Sequence, residues 1–200
     1  MNNSMIARVS RAYSHDLKTT ARVIVTKRCV RKCPYCVNNH PEIKAQMEPL
    51  QDVEQLERFQ TVCLTGGEPF LAPKATLRLI KELRAQNPTQ KIYVYASIFE
   101  MTKEQLRILA LVDGLHYTIH QHPTSDDQEM LDTLQLILMG YRKRGKSFRL
   151  ALSPDIFSSI RIMPSAWNDI RVKEWLDDCP LPENEELFIA KITTGMKGKR

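Results

Sequence analysis

The stretch TVCLTGGEPFLAPKATLRLIKELRAQNPTQKIYVYA, residues 61–96, decides the fold. Thr61-Val62-Cys63-Leu64-Thr65 is a short run rich in β-branched and apolar residues that stops at Gly66-Gly67, which reads as a buried strand. Pro73 opens a helix in which Leu77, Ile80 and Leu83 share one face while Lys74, Lys81 and Arg84 lie elsewhere, and Asn87-Pro88 stops it. Ile92 to Ala96 is then a second strand. A strand, a crossover helix and a strand make the unit of a parallel sheet, because parallel neighbours need a connection that returns the chain to the same end.

The same alternation extends in both directions. Upstream, Arg22-Val23-Ile24-Val25-Thr26 reads as a strand feeding a charged, cysteine-bearing loop, and Asp52 to Phe59 has helix-forming composition. Downstream come a helix over Thr102 to Leu111 with Thr102 as N-cap, a strand over Leu115 to Ile119, a helix over Ser125 to Tyr141 and a strand over Phe148 to Leu152. Beyond it, Trp167 to Leu176 is expected to be helical and Glu186 to Ile192 to form a last strand. The strands read as apolar on both faces, the mark of a parallel sheet covered by helices. The expected fold is α/β, a partial (β/α)6 barrel of parallel strands with outer helices, and in such folds chemistry gathers at the carboxyl ends of the strands.

Bulk properties frame the reading. The chain has 200 residues, 42% hydrophobic, enough for one sizeable core, so a single domain is expected over 1–200, with 1–20 as an N-terminal extension and 195–200 as a flexible tail. No apolar run approaches the roughly 18 residues that span a bilayer, and Met1 to Arg11 lacks the apolar centre of a secretory signal. A soluble, cytoplasmic protein with no membrane association is therefore expected. The net charge of +6 is carried by clusters at Lys27 to Lys32, Arg142 to Lys146 and Lys197 to Arg200, which read as solvated surface; nothing in them specifies nucleic acid.

The five cysteines do not form a disulfide framework in a chain this long. Cys29, Cys33 and Cys36 form a C-x3-C-x2-C run directly after the first strand. Three thiolates so close can wrap one metal centre, whereas a structural zinc site closes with four protein ligands. An iron–sulfur cube held by three cysteines leaves one iron open to a substrate or cosubstrate. Cys63 lies within an apolar strand and reads as a buried structural cysteine, Cys179 beside Pro180 as a surface thiol, and His40 is a further zinc-type donor. The cations Lys27, Arg28, Arg31 and Lys32 are expected to lower the thiol pKa values.

These residues resemble the radical S-adenosylmethionine (radical SAM) superfamily. Its signature is C-x3-C-x2-C after the first strand with an aromatic before the third cysteine, here Tyr35. Leu64-Thr65-Gly66-Gly67-Glu68-Pro69-Phe70 looks like its Gly-Gly-Glu-Pro segment, and the similarity runs from about Arg22 to Leu152. The resemblance implies that Cys29, Cys33 and Cys36 hold a 4Fe-4S cluster and that Gly66, Gly67, Glu68 and the backbone of Tyr35 contact S-adenosylmethionine. It implies reductive cleavage to methionine and a 5′-deoxyadenosyl radical that abstracts a substrate hydrogen, and an electron donor such as flavodoxin or ferredoxin. Paired glycines suit this role, because they let a ligand approach backbone carbonyls and permit turns of positive φ.

The chain also departs from the family pattern. Where relatives often end the third strand in Thr-Asn-Gly, this one reads Ala96-Ser97-Ile98, with Ser97 left to hydrogen-bond the cosubstrate and Ser153 a comparable candidate after the fifth strand. No counterpart of the glycine-rich adenine-contacting motif is found there. Val37-Asn38-Asn39-His40 after the third cysteine does not match the Asp-Thr of 7-carboxy-7-deazaguanine synthases, and no docking surface for a glycyl-radical partner is legible, as an activase would need. His116, Thr118 and His120 alternate along the fourth strand with His122 following, which makes His120 the candidate substrate-facing catalytic group. The alternative is a non-catalytic iron–sulfur or zinc-binding protein acting through a partner.

Overall fold

The computed structural model describes residues 18–31, 33, 36–119, 124–174 and 181–191. One sheet of eight strands contains β1 (Thr20–Thr26), β2 (Glu48–Leu50), β3 (Thr61–Gly66), β4 (Lys91–Ala96), β5 (Gly114–Ile119), β6 (Ser147–Leu152), β7 (Asp169–Val172) and β8 (Glu185–Ala190). Every neighbouring pair is parallel, in the order β2-β8-β1-β3-β4-β5-β6-β7. The run from β1 through β3 to β7 supplies the six strands of the expected partial barrel. The sheet does not close; β8 and β2 extend it on the other side of β1, and β2, with Pro49 at its centre, lies at the edge, where a missing amide is tolerated.

The crossovers carry helices α1 (Pro41–Lys44), α2 (Pro73–Gln86), α3 (Lys103–Leu111), α4 (Ser125–Arg142) and α5 (Pro154–Phe157). Thr102 and Thr124 cap α3 and α4, each in a reciprocal capping box, with Gln105 and Asp127 respectively. Among the described residues, no helix is long and apolar enough to cross a membrane.

Leu64, Ile92, Val94, Phe148 and Leu150 from the sheet join Leu77, Ile80, Leu83, Ile108, Leu134 and Leu138 from α2, α3 and α4 in one buried apolar cluster. Each such side chain contributes on the order of 2 kcal/mol of burial. The opposite face corrects the expectation of strands apolar on both sides. Arg22 pairs in register with Cys63 and Cys63 with Tyr93, while Tyr95 pairs with His116 and His116 with Arg149, so a polar row that steps by two residues on β4 crosses five strands. The long helices cover only the other face. On the concave face a small apolar cluster of Ile24, Ile43 and Leu187 lies toward the β8 side.

The helix expected over Trp167 to Leu176 is replaced by strand β7. Trp167 is buried, and its Nε1 donates to Gln135 of α4 at 3.1 Å. Asn168 then exchanges hydrogen bonds with the Phe148 backbone, which starts pairing with β6 before a helical turn can form. The expected last strand is present as β8, beside β1.

Candidate active site

The site is built where β1 and β3 end side by side. Gly67 N–H donates to the Thr26 carbonyl at 2.6 Å, Glu68 N–H to the Arg28 carbonyl at 2.7 Å, and the Asn38 side-chain amide to the Gly66 carbonyl at 2.7 Å. These bonds sew the Gly-Gly-Glu segment onto both arms of the cysteine loop. The glycines are needed for that approach: a Cβ on Gly66 would lie 2.4 Å from the Thr26 carbonyl oxygen, and one on Gly67 2.2 Å from that of Arg28. Gly66 also takes φ of 126°, which L side chains rarely adopt. The missing side chains thus make room for the chain's own loop backbone.

Cys29 is exposed, and Cys33 and Cys36 are half-buried, within a loop turned by a Cys36 N–H to Cys33 carbonyl bond of 3.2 Å. Burial, and then the nearness of Cys36 and Cys29, pushes the Cys33 thiol up to about 11. Burial raises Cys29 as well. The net rise corrects the expected lowering by neighbouring cations: Arg31 still lowers both thiols, and burial outweighs it. Lys27 and Arg28 are exposed, and Arg31 also makes a forked ion pair with Asp127, at the start of α4. The remaining reach of Arg31 is to the Ser97 carbonyl at 3.4 Å, so one side chain ties the cysteine loop to the end of β4 and the start of α4.

Glu68 is 1% exposed. One carboxylate oxygen accepts from Phe70 N–H at 3.0 Å, and the other from Ser97 N–H at 2.7 Å and the Ser97 hydroxyl at 3.0 Å. Burial outweighs these donors and pushes the carboxyl up to about 7. Glu68 and Ser97, read separately from sequence, are therefore direct partners. Ser153 closes β6 with its hydroxyl donating to Asp155.

Among the described residues, neither His40 nor Cys63 joins the cysteines. His40 Nδ1 lies 3.0 Å from the Glu42 carboxylate, and Cys63 is buried on the concave side of β3 beside Tyr95 and Arg22. Among the described residues, no group of three or more His, Cys, Asp or Glu side chains is drawn together as a site for a single metal ion. The chemistry of the donor set fits an iron–sulfur group: three thiols on one loop, two of them half-buried. Tyr35, His120, His122 and Cys179, with the two chain tails, lie outside the described residues. Asp127 and Asn38 carry no motif; the threonine cap three residues before Asp127 was the one local signal pointing to it.

The family model of the radical SAM superfamily matches residues 23–149. That span takes in the cysteine run, the Gly-Gly-Glu segment and strands β1 to β6 almost entire, and it coincides with the stretch on which the resemblance rests. No curated protein matches the chain. The chain belongs to the radical SAM superfamily.

Proposed function

We propose that this radical SAM protein is a catalytically active enzyme in which Cys29, Cys33 and Cys36 hold a 4Fe-4S cluster and Gly66, Gly67, Glu68, Ser97 and Tyr35 bind S-adenosylmethionine. When bound, the cluster supplies the electron that splits S-adenosylmethionine into methionine and a 5′-deoxyadenosyl radical, which takes a hydrogen atom from the substrate. The observation that carries this reading is the direct docking of the Gly-Gly-Glu segment on the cysteine loop through Gly67 to Thr26 and Glu68 to Arg28. Groups that bind a cosubstrate and groups that hold its electron source must be fixed against each other, and these bonds do so through backbone alone.

Glu68 is suited to receive the cationic methionine amino group. Its Oε1 accepts from Phe70 N–H alone among the described residues, which leaves acceptor capacity for an ammonium donor. With its carboxyl near neutrality, an arriving cation would stabilise the ionised form. The Ser97 contacts hold the other oxygen, so the carboxylate is oriented before the ligand binds. The reading calls for a one-electron donor such as flavodoxin or ferredoxin and a reducing, cytoplasmic setting.

The test is anaerobic reconstitution with iron and sulfide, reduction in the presence of S-adenosylmethionine, and chromatographic assay of 5′-deoxyadenosine. Formation by the wild-type chain and its loss in Cys29→Ala, Cys33→Ala and Cys36→Ala, with Cys63→Ala still active, is the expected result. A four-iron protein that yields no 5′-deoxyadenosine would favour a binding role through a partner, and a protein that takes up only zinc would refute the proposal.

A further inference from the structure

The polar row on the concave face encloses a cavity of about 300 Å³, lined by Cys63, Tyr95, His116, Arg149 and Glu185 among others. Its charges are unevenly satisfied. Arg22 pairs with Glu185 at 2.6 Å, which uses the acidic group of the lining, and Arg171 farther along pairs with Asp169 at 2.7 Å. Arg149 is exposed on the concave face and makes no ion pair among the described residues. Beside it the His116 ring stacks on Tyr95 with centroids 4.6 Å apart and planes inclined by 15°, and the Arg22 guanidinium lies 5.1 Å from the Tyr95 ring centre.

We infer that this cavity is a substrate subsite in which Arg149 binds the carboxylate or phosphate of a small molecule whose body lies against the Tyr95–His116 stack. A guanidinium presents a planar fork that matches such oxyanions, and among the described residues Arg149 has no carboxylate partner to compete with a ligand for it, since Glu185 and Asp169 are taken by Arg22 and Arg171. The surroundings agree in sign. Burial, followed by the charges of Arg149, Arg171, Lys173 and Arg22, pushes His116 down to about 4, so the ring is neutral and presents a flat face within a positive field. Thr20, Thr61, Ser147 and Glu185, the first residues of β1, β3, β6 and β8, place much of the lining at the amino ends of the strands, and the Tyr95–His116 stack, two residues before Ser97 along β4, is its part nearest the cysteine loop, roughly 7 Å away along the strand. An acidic molecule long enough to pass that stack can reach from Arg149 toward Ser97. In calling the ligand a substrate, the inference rests on the radical SAM reading; the binding itself does not.

The test uses the full chain without cluster or S-adenosylmethionine, at pH 7 and fixed ionic strength balanced with chloride. Inorganic phosphate and acetate are titrated separately while the His116 imidazole signals are followed by nitrogen-15 NMR. At least one probe is expected to shift them saturably, and Arg149→Ala to weaken that binding about tenfold or more, the loss of one charge-assisted hydrogen bond. Arg149→Lys should fall between the two, and Arg58→Gln, which removes an equal charge away from the cavity, should bind as wild type. Saturation by phosphate alone identifies a phosphate ester, and saturation by acetate alone a carboxylic acid. No saturable shift with either probe, or unchanged affinity in folded Arg149→Ala and Arg149→Lys, overturns the inference. Because neither cluster nor cosubstrate is present, failure here leaves 5′-deoxyadenosine formation untouched, and failure of that reaction leaves this binding intact.

Discussion

The backbone amide of Gly67 donates to the carbonyl of Thr26 at 2.6 Å, and this contact joins the two sequence motifs of the chain into one structure. Thr26 is the last residue of β1 and Gly67 the first after β3, paired neighbours in the sheet. The cysteine loop is therefore anchored at its root by the segment that is proposed to hold the cosubstrate.

Gly67→Ala is expected to destabilise the chain by about 2–4 kcal/mol, since the new methyl would press on the Arg28 backbone and displace the hydrogen bonds on either side. Gly140→Ala is the matched control. It lies within α4 with open space around its Cβ, so the substitution should stabilise by about 0.5–1 kcal/mol. Chemical denaturation of both variants checks the contrast; equal effects would contradict it.

Glu68 makes stability depend on pH. Its folded-state carboxyl titrates near 7 against an ordinary value of 4.5, so the folded chain binds the proton more tightly than the unfolded chain. That contribution is fully present below about pH 4.5 and is lost as pH rises through about 7. The stability of the wild type relative to Glu68→Gln should fall across that window, by an amount on the order of 3 kcal/mol. Parallel pH profiles for the two proteins would show that Glu68 does not titrate in this way.

The Arg31–Asp127 ion pair spans 96 residues of sequence and ties the cysteine loop to the start of α4. Burial pushes Asp127 up, but the hydrogen bond from Arg31 and those from Thr124 outweigh it and hold the carboxyl below the usual range. A double-mutant cycle of Arg31→Ala and Asp127→Asn should give a coupling of about 1–2 kcal/mol. Hydrogen exchange should quicken at residues 27–31 in either variant, with the β3 and β4 amides unchanged. Exchange that stays at the wild-type rate in the loop would remove Arg31 from the role of a clasp.

The cysteine run and the Gly-Gly-Glu segment were legible because each is local, and the strand–helix alternation from Arg22 to Leu152 was legible because its periods are. The polar face was not, because strands of six or seven residues give little periodicity, and Cys63 and Tyr95 are β-formers that read as apolar although they line a polar cavity. The role of the glycines was half legible: a close approach was foreseen, but only the fold reveals that the Thr26 and Arg28 carbonyls make it. The Arg31 charge was read as acting on the thiols next to it. It does lower them, but it is also paired with Asp127, distant in sequence, and burial of the thiols outweighs it. His116 is legible only as one of the alternating residues of its strand, since nothing in the sequence puts Tyr95 under its ring.

The most direct test of the central claim is electron paramagnetic resonance of the reconstituted, reduced protein before and after addition of S-adenosylmethionine. A reduced four-iron signal that changes shape when the cosubstrate is added, and that is absent from Cys33→Ala, is the predicted result. A signal unmoved by saturating S-adenosylmethionine, or one retained in Cys33→Ala, would contradict the assignment of these residues to an open cluster.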